Sequence, residues 1–463
     1  MLRFLVISAV VTCLVCSALA DPVDDFVRKE MASQHIPGLT IGVLVNDKLV
    51  KIKGYGFANL ECSTPAKPET VYEIGSITKQ FTAESIMMLV EQGKIGLDDK
   101  ISKYISGTPD TWKDITVRNL LNHVSGIKNC TGLLGFLTEM QKNSDHDVFM
   151  KLVSAEPLEF APGTKWEYSN SNFYLLGMII EKVSGQSYGA FLQTHIFDPL
   201  GMKTAYLNDP THVVAGRAAG YSWSGKGWEN AQYVSMSWPY AAGALMMSVE
   251  DYAKWLDALD SQKLLKPSSY EAMYTPVKLA NGEPQEYGFG WAIDTYRQHP
   301  RIWHNGGIPG FITEAKRFPK DNLSVIVFTN SGTCDPGEIV DGIGGLYVPA
   351  LKPSSMLAPS KDPDPAFTKS LLDLVAHFAK GDSNMPQATE ELKNQLNRNT
   401  TAIAKDMVDH LKEIQFLLTE TDAKGGKRIY YRVIRTDGDQ MFTVDENPDG
   451  KISSLMLTKS IAH

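Results

Sequence analysis

The order of hydrophobic periodicities along this chain predicts a mixed α/β (α+β) fold: a mixed sheet flanked by helices, a mostly helical subdomain, and a small C-terminal α+β domain. Three observations carry that expectation. Strand-like runs near the N-terminus return only after residue 287, with helical patterns between them, so the two ends share one sheet. The stretch 352–365 holds Pro353, Pro359, Pro363 and Pro365 with few large apolar residues, the composition of a linker. Beyond it, helical and then strand-like runs follow within about a hundred residues.

Taken in order, residues 21–35 predict a helix closed by Ile36-Pro37-Gly38. Residues 39–45 and 49–54 predict a hairpin turning at Asn46-Asp47. Helical spacing dominates from Ser76 to about Leu200, with an amphipathic run at 81–92 and a clear helix at 173–183 ended by Ser184-Gly185. Strands are expected at 288–293, 310–318 and 323–329, the last strongly β-branched. In the C-terminal part, 367–379 and 400–411 predict helices, and 428–433, 440–444 and 452–457 predict strands.

The first twenty residues have the build of a secretory leader. Arg3 gives the positive start, 4–15 the apolar centre, and Ala18-Leu19-Ala20 a small-residue cleavage site. The alternative is an uncleaved anchor, although the apolar centre is short for a membrane span. The expected organisation is therefore a signal peptide (1–20), a main domain (21–351), a linker (352–365) and an accessory domain (366–463), in a secreted or periplasmic protein with no transmembrane segment after leader removal. Cys62, Cys130 and Cys334 then remain, too few and too far apart for a disulfide framework. A formal net charge of −8 with no offsetting basic stretch argues against nucleic acid as a partner. Asn129-Cys130-Thr131, Asn322-Leu323-Ser324 and Asn399-Thr400-Thr401 match the glycosylation pattern, which matters only in a eukaryotic host.

The chemistry begins at Ser76-Ile77-Thr78-Lys79, at the head of the amphipathic run. Residues three apart share a helix face, so the Lys79 amine can reach the Ser76 hydroxyl. An uncharged lysine can take the proton of a serine and make it a nucleophile. A helix N-terminus also favours the negative charge that develops there. The pair points to acyl transfer through a serine ester. A second copy, Ser125-Gly126-Ile127-Lys128, lies in a Gly-rich stretch without helical periodicity and reads as a loop.

Two later motifs fit the remaining roles. Tyr168-Ser169-Asn170 follows a Pro162-Gly163 turn and precedes a helix. A phenol close to a lysine ammonium can have a lowered pKa and relay a proton to the leaving group. The bland reading is a loop tyrosine with Asn170 as helix cap. Trp303-His304-Asn305-Gly306-Gly307 leads towards the late strands, where a glycine edge lets substrate approach the backbone. A backbone N–H there and that of Ser76 would make an oxyanion hole. Read bare, it is a glycine turn beside a buried histidine.

Together these motifs resemble the family of class C β-lactamases, DD-peptidases and related serine esterases. Further matching segments are Thr116 to Gly126, Ile196 to Met202 and Tyr287 to Trp291, so the resemblance covers roughly Asp21 to Tyr347. It implies a β-lactamase/transpeptidase-like fold with Ser76 as acylated nucleophile, Lys79 as its activating partner and Tyr168 as proton shuttle. It further implies Asn170 bonded to substrate or Lys79, substrate contacts at His304, Asn305 and Gly306, and an oxyanion hole from the N–H groups of Ser76 and Gly307. Ser125 would shape the site wall.

His304 departs from the lysine of penicillin-recognising members. Histidine, with a reference pKa near ~6.5, is mostly neutral at pH 7 and would hold a substrate carboxylate less firmly. The His-x-Gly members include esterases and D-amino-acid peptidases or amidases. The expectation is a cofactor-free, metal-free hydrolase of an ester or amide, acting on a small molecule or short peptide, with oligomeric state open. The alternatives are a β-lactamase or D-Ala-D-Ala carboxypeptidase, and a catalytically silent protein that binds peptide or cell-wall fragments. Gly185-Gln186-Ser187-Tyr188-Gly189 matches the nucleophile elbow of α/β-hydrolases, but helical spacing precedes it and Ser187 reads as a helix cap. Asp145-His146-Asp147 reads as a solvated loop, not a metal site.

Overall fold

The computed structural model describes residues 21–458 except 210, 383 and 423; the expected leader lies outside the described residues. Helix α1 (Pro22–Ser33) starts at Asp21, whose carboxylate accepts the Val23 N–H, with Pro22 preset for the first turn. Strands β1 (Gly38–Val45) and β2 (Lys48–Asn59) form the expected hairpin, longer in its second arm. Asn46 and Asp47 both take positive φ at the turn, a conformation these two residue types tolerate.

The chain then leaves the sheet. Helix α2 (Thr78–Glu91) carries Lys79 in its first turn, and its residues from Thr78 to Leu89 are buried. The amphipathic run is therefore not a surface helix. It lies in the large core that also holds Phe173, Trp255 and Phe328. Helix α3 (Asn170–Ser184) ends on Gly185 in the left-handed conformation.

The sheet is completed by β3 (Ala292–Tyr296), β4 (His299–Ile308), β5 (Phe311–Phe318) and β6 (Leu323–Thr329). Seven strands run in the order Thr64–Pro65, β2, β1, β6, β5, β4, β3. The N- and C-terminal strands meet where β1 pairs antiparallel with β6, Leu39 opposite Thr329. Alternation along β6 feeds two cores. Val325 and Val327 pack with α1 and with α4 (Pro336–Tyr347), while Ile326 and Phe328 pack on the side of α2.

Two local expectations shift. Residues 288–291 are irregular, and the strand begins at Ala292 instead. The His304-Gly307 motif is no turn: it lies within β4.

After short turns at Pro349–Leu351 and Ser354–Met356, helices α5 (Pro365–Lys380) and α6 (Arg398–His410) cover a four-stranded sheet. Its strands are β7 (Leu411–Thr421), β8 (Lys427–Arg435), β9 (Gln440–Glu446) and β10 (Ile452–Leu457), in that order. They enclose a separate core around Leu371, Leu374, Tyr431 and Val444. The first strand, β7, had no clear alternating signal. The fold is a mixed α/β one, with a large antiparallel sheet flanked by helices. Among the described residues no helix is long and apolar enough to cross a membrane.

Candidate active site

Ser76 sits in a 3-10 turn, Gly75–Ile77, that runs directly into α2. Gly75 takes φ +52, and a Cβ there would lie 2.7 Å from the Gly307 nitrogen, so the turn and β4 meet backbone to backbone. Thr313 on β5 fastens this contact. Its hydroxyl donates to the Ile74 carbonyl at 2.9 Å, with the Gly306 carbonyl at 3.4 Å.

Lys79 is fully buried. Its Nζ lies 3.0 Å from Ser76 Oγ, 2.8 Å from Asn170 Oδ1 and 2.7 Å from the Ala242 carbonyl oxygen. Two of these partners can only accept; the third, a hydroxyl, can also donate. A neutral amine has two N–H groups and one lone pair, which this set satisfies in full. Burial holds the Lys79 pKa well below its ordinary value, and among the described residues no carboxylate pairs with it. The orientation of the Asn170 amide is fixed from behind: Asn129 Oδ1 accepts its backbone N–H at 3.1 Å and its side-chain N–H at 3.3 Å. Asn170 therefore serves Lys79.

Tyr168 reaches the same place from the irregular loop before α3. That loop is stitched to the 123–126 segment by Gly163 N–H to Val124 O at 2.7 Å and Glu167 N–H to His123 O at 3.0 Å. The Tyr168 phenol lies close to Ser76, and its ring centroid is 4.8 Å from Lys79 Nζ. The expectation of a lowered phenol pKa is corrected. Burial raises it, outweighing the lowering effect of Ser76, and a neutral Lys79 offers no cation to pull it down. The phenol keeps its proton at neutral pH.

His304 is 4% exposed on β4. Its Nδ1 lies 2.6 Å from the Asn305 carbonyl, so Nδ1 carries the proton and Nε2 accepts the Tyr287 hydroxyl at 3.0 Å. Burial, with a smaller contribution from Lys79, lowers its pKa to about 3. It is neutral throughout the physiological range, not merely mostly so. The adjacent residues divide. Gly306 is buried, with space for a Cβ blocked by Ile74 O at 1.9 Å, whereas a Cβ on Gly307 would meet nothing within 4 Å. Pairing of β4 with β3 stops at Trp303, leaving the 304–308 edge open on that side. Asn305 is exposed and lines a cavity beside Tyr168.

Three residues were not singled out from sequence. Ala242 contributes only a backbone carbonyl, which has no signature. Thr313 is an ordinary strand threonine. His123, inside the Thr116 to Gly126 segment, packs its ring 4.4 Å from that of Tyr168 and accepts the Ser169 N–H at 3.2 Å. Burial drives its pKa well down.

The decoys resolve. Ser125 donates to Asn172 Oδ1 at 2.6 Å, while Lys128 pairs with Glu156. Ser187 caps the helix Tyr188–Leu192. Asp145 caps the helix His146–Ser154, and His146 bonds Tyr174 and Glu181, so that run is a helix start and not a loop. Among the described residues, the one group spaced for a metal is Asp406, His410 and Asp437, but Arg435 already pairs with both carboxylates. Cys62, Cys130 and Cys334 are free thiols.

The Beta-lactamase family model matches residues 23–342. Penicillin-binding protein 4* of Bacillus subtilis (strain 168) is 30% identical over 291 residues, 60% of this chain and 64% of that protein. Protein flp of Staphylococcus aureus (strain MW2) is 29% identical over 319 residues, 66% and 62% respectively. The chain thus spans less than two thirds of the length of these relatives. Among solved structures, the octameric penicillin-binding protein homologue from Pyrococcus abyssi superimposes with a TM-score of 0.61 at 26% identity, over 91% of this chain and 89% of that one. A D-stereospecific amidohydrolase from Streptomyces sp. gives 0.59 at 26% identity, over 69% of this chain and 97% of that one. With one family model running from α1 into α4 and the turn that carries Ser76 packed against β4, the chain belongs to the Beta-lactamase family of serine hydrolases.

Proposed function

We propose that this chain hydrolyses an ester or amide through an acyl-enzyme on Ser76. One observation carries the reading: a buried amine, without a counter-ion among the described residues, holds its third contact on the Ser76 hydroxyl at 3.0 Å while two carbonyl-type oxygens take its N–H groups. In the first step Ser76 Oγ attacks the substrate carbonyl carbon and its proton passes to the Lys79 lone pair. The oxyanion is held by the N–H groups of Ser76 and Gly307, usually the largest single contribution to such catalysis. The protonated phenol of Tyr168 then relays a proton to the leaving group as the scissile bond breaks. Water attacks the ester in the second step, its proton following the same route back, and Ser76 regains its hydrogen.

A neutral, buried His304 leaves no cation at the position where a carboxylate would be held. That favours esters and D-amino-acid amides or peptides over penicillins and peptides ending in D-alanine. The similarity to penicillin-binding proteins keeps a β-lactamase or D-Ala-D-Ala carboxypeptidase as the second reading. The leader-like segment supports a secreted or periplasmic location, and the separate C-terminal core supports an accessory domain after a linker at 352–365.

Two assays decide. Fluorophosphonate labelling is expected in the native chain and absent in Ser76→Ala; no Ser76-dependent label returns the silent binding protein. Across p-nitrophenyl esters, D-amino-acid amides, nitrocefin and D-Ala-D-Ala peptides, kcat/KM for nitrocefin within about tenfold of the best ester would reverse the ranking.

A further inference from the structure

A cavity of about 560 Å³ opens beside the Tyr168 and His304 rings, within the size range of small-molecule sites. Its walls are aromatic, from Trp166, Tyr168, Tyr287 and Trp303. Among the described residues its two charged lining residues, Glu286 and Asp294, are both acidic, and no lysine or arginine lines it. Asp294 is already neutralised: Arg301 donates to its two oxygens at 2.7 and 2.6 Å, and Trp303 Nε1 adds a bond at 3.0 Å. Arg301 also lies over the Trp303 ring, 5.0 Å from its centroid, so its charge is spent outside the cavity. Glu286 is exposed on the rim, and its carboxylate has no hydrogen bond or ion pair among the described residues.

We propose that this cavity is a subsite for an ammonium-bearing group of the substrate, with Glu286 as its counter-charge and the rings of Trp166 and Tyr287 as its apolar walls. Aromatic faces attract cations and make no comparable attraction for anions. An unpaired carboxylate at the rim adds to that preference and repels a carboxylate. The neutral imidazole of His304 on the shared wall supplies no opposing charge. The placement of this subsite beside the reacting carbonyl rests on the hydrolase reading; the binding preference does not. The ligand class is an alkyl or aryl ammonium, such as the free amine of an amino-acid ester or amide.

The test measures binding of benzylammonium, benzyl alcohol and benzoate to the full chain by calorimetry and by quenching of tryptophan fluorescence. Benzylammonium is expected to bind at least tenfold tighter than benzyl alcohol, with benzoate weakest. Glu286→Gln is expected to raise the benzylammonium Kd about fivefold and leave benzyl alcohol within twofold. Glu283→Gln removes a neighbouring exposed charge outside the cavity lining and is expected to change neither. Equal affinities for the three probes, no detectable binding, or equal effects of the two variants overturns the subsite. Cation binding without Ser76-dependent labelling keeps the subsite and removes the hydrolase reading. Labelling without a cation preference does the reverse.

Discussion

A Cβ built on Gly306 falls 1.9 Å from the carbonyl oxygen of Ile74, two residues before Ser76. The strand that carries the glycines therefore runs hard against the turn that carries Ser76. Neither backbone can move without displacing the other. Gly306→Ala is expected to push β4 off the turn and lower the rate of Ser76 labelling at least a hundredfold, since small misplacements of reacting groups have effects of about that size. Circular dichroism of the variant checks that the fold survives. A labelling rate within threefold of the native chain would show that the contact is not what positions Ser76.

Thr313 tests the same junction more gently. Thr313→Val keeps the shape but removes the hydroxyl that bonds Ile74 O. A loss of about 1 kcal/mol in stability is expected, with kcat lowered about tenfold and KM little changed. Thr313→Ser should restore most of kcat. Failure of the serine to rescue would mean that packing, not the hydrogen bond, matters there.

The pH profile follows from burial. In the proposed mechanism Lys79 acts only when neutral, and burial holds its pKa well below the ordinary value. kcat/KM should rise on a single acidic limb set by Lys79, because His304, at about 3, and His123, also lowered, do not titrate in the working range. Anionic substrates are therefore not expected to gain as pH falls through neutrality. The ratio of anionic to neutral substrate efficiency should stay flat from pH 5.5 to 8.5. His304→Lys should raise that ratio about tenfold. A step in the native ratio near pH 6.5, absent in His304→Asn, would show a titrating His304.

Glu84 sets a pH dependence of stability. It is fully buried on α2 and accepts the Tyr270 hydroxyl at 3.0 Å, and its second carboxyl oxygen has no partner among the described residues. Burial raises its pKa to about 8. The folded chain keeps the proton that the unfolded chain loses near 4.5, so between those values the folded state binds more protons than the unfolded one. Stability is therefore full at and below the unfolded value and falls as pH rises towards 8, by a loss on the order of a few kcal/mol. Tm should drop over that interval in the native chain and much less in Glu84→Gln. Parallel Tm curves would assign the loss to other groups.

Much of this site was legible because its residues are tied by local spacing. Ser76 and Lys79 are one turn apart, Tyr168 and Asn170 straddle a helix start, and His304 and Gly307 lie on one strand. What was not legible came from distant parts of the chain meeting by packing. The Ala242 carbonyl and the Thr313 hydroxyl act through position alone. The Tyr168 pKa was misjudged because its sign depends on burial and on the charge state of Lys79, neither visible in a motif. The fold behaved similarly. β6 announced itself by β-branched residues facing two cores. β7, with Lys412, Glu413, Gln415, Thr419 and Glu420 along an edge strand of the C-terminal sheet, has too little apolar alternation to stand out.

The central claim is that Ser76, activated by an uncharged Lys79, becomes covalently acylated. Mass spectrometry of peptides from a rapidly quenched reaction with an activated ester tests it directly. The account predicts an acyl adduct on the peptide containing Ser76, lost in Ser76→Ala and formed at least a thousandfold more slowly in Lys79→Gln. An adduct on Ser125 or Ser187 instead, or unimpaired acylation without Lys79, would contradict it.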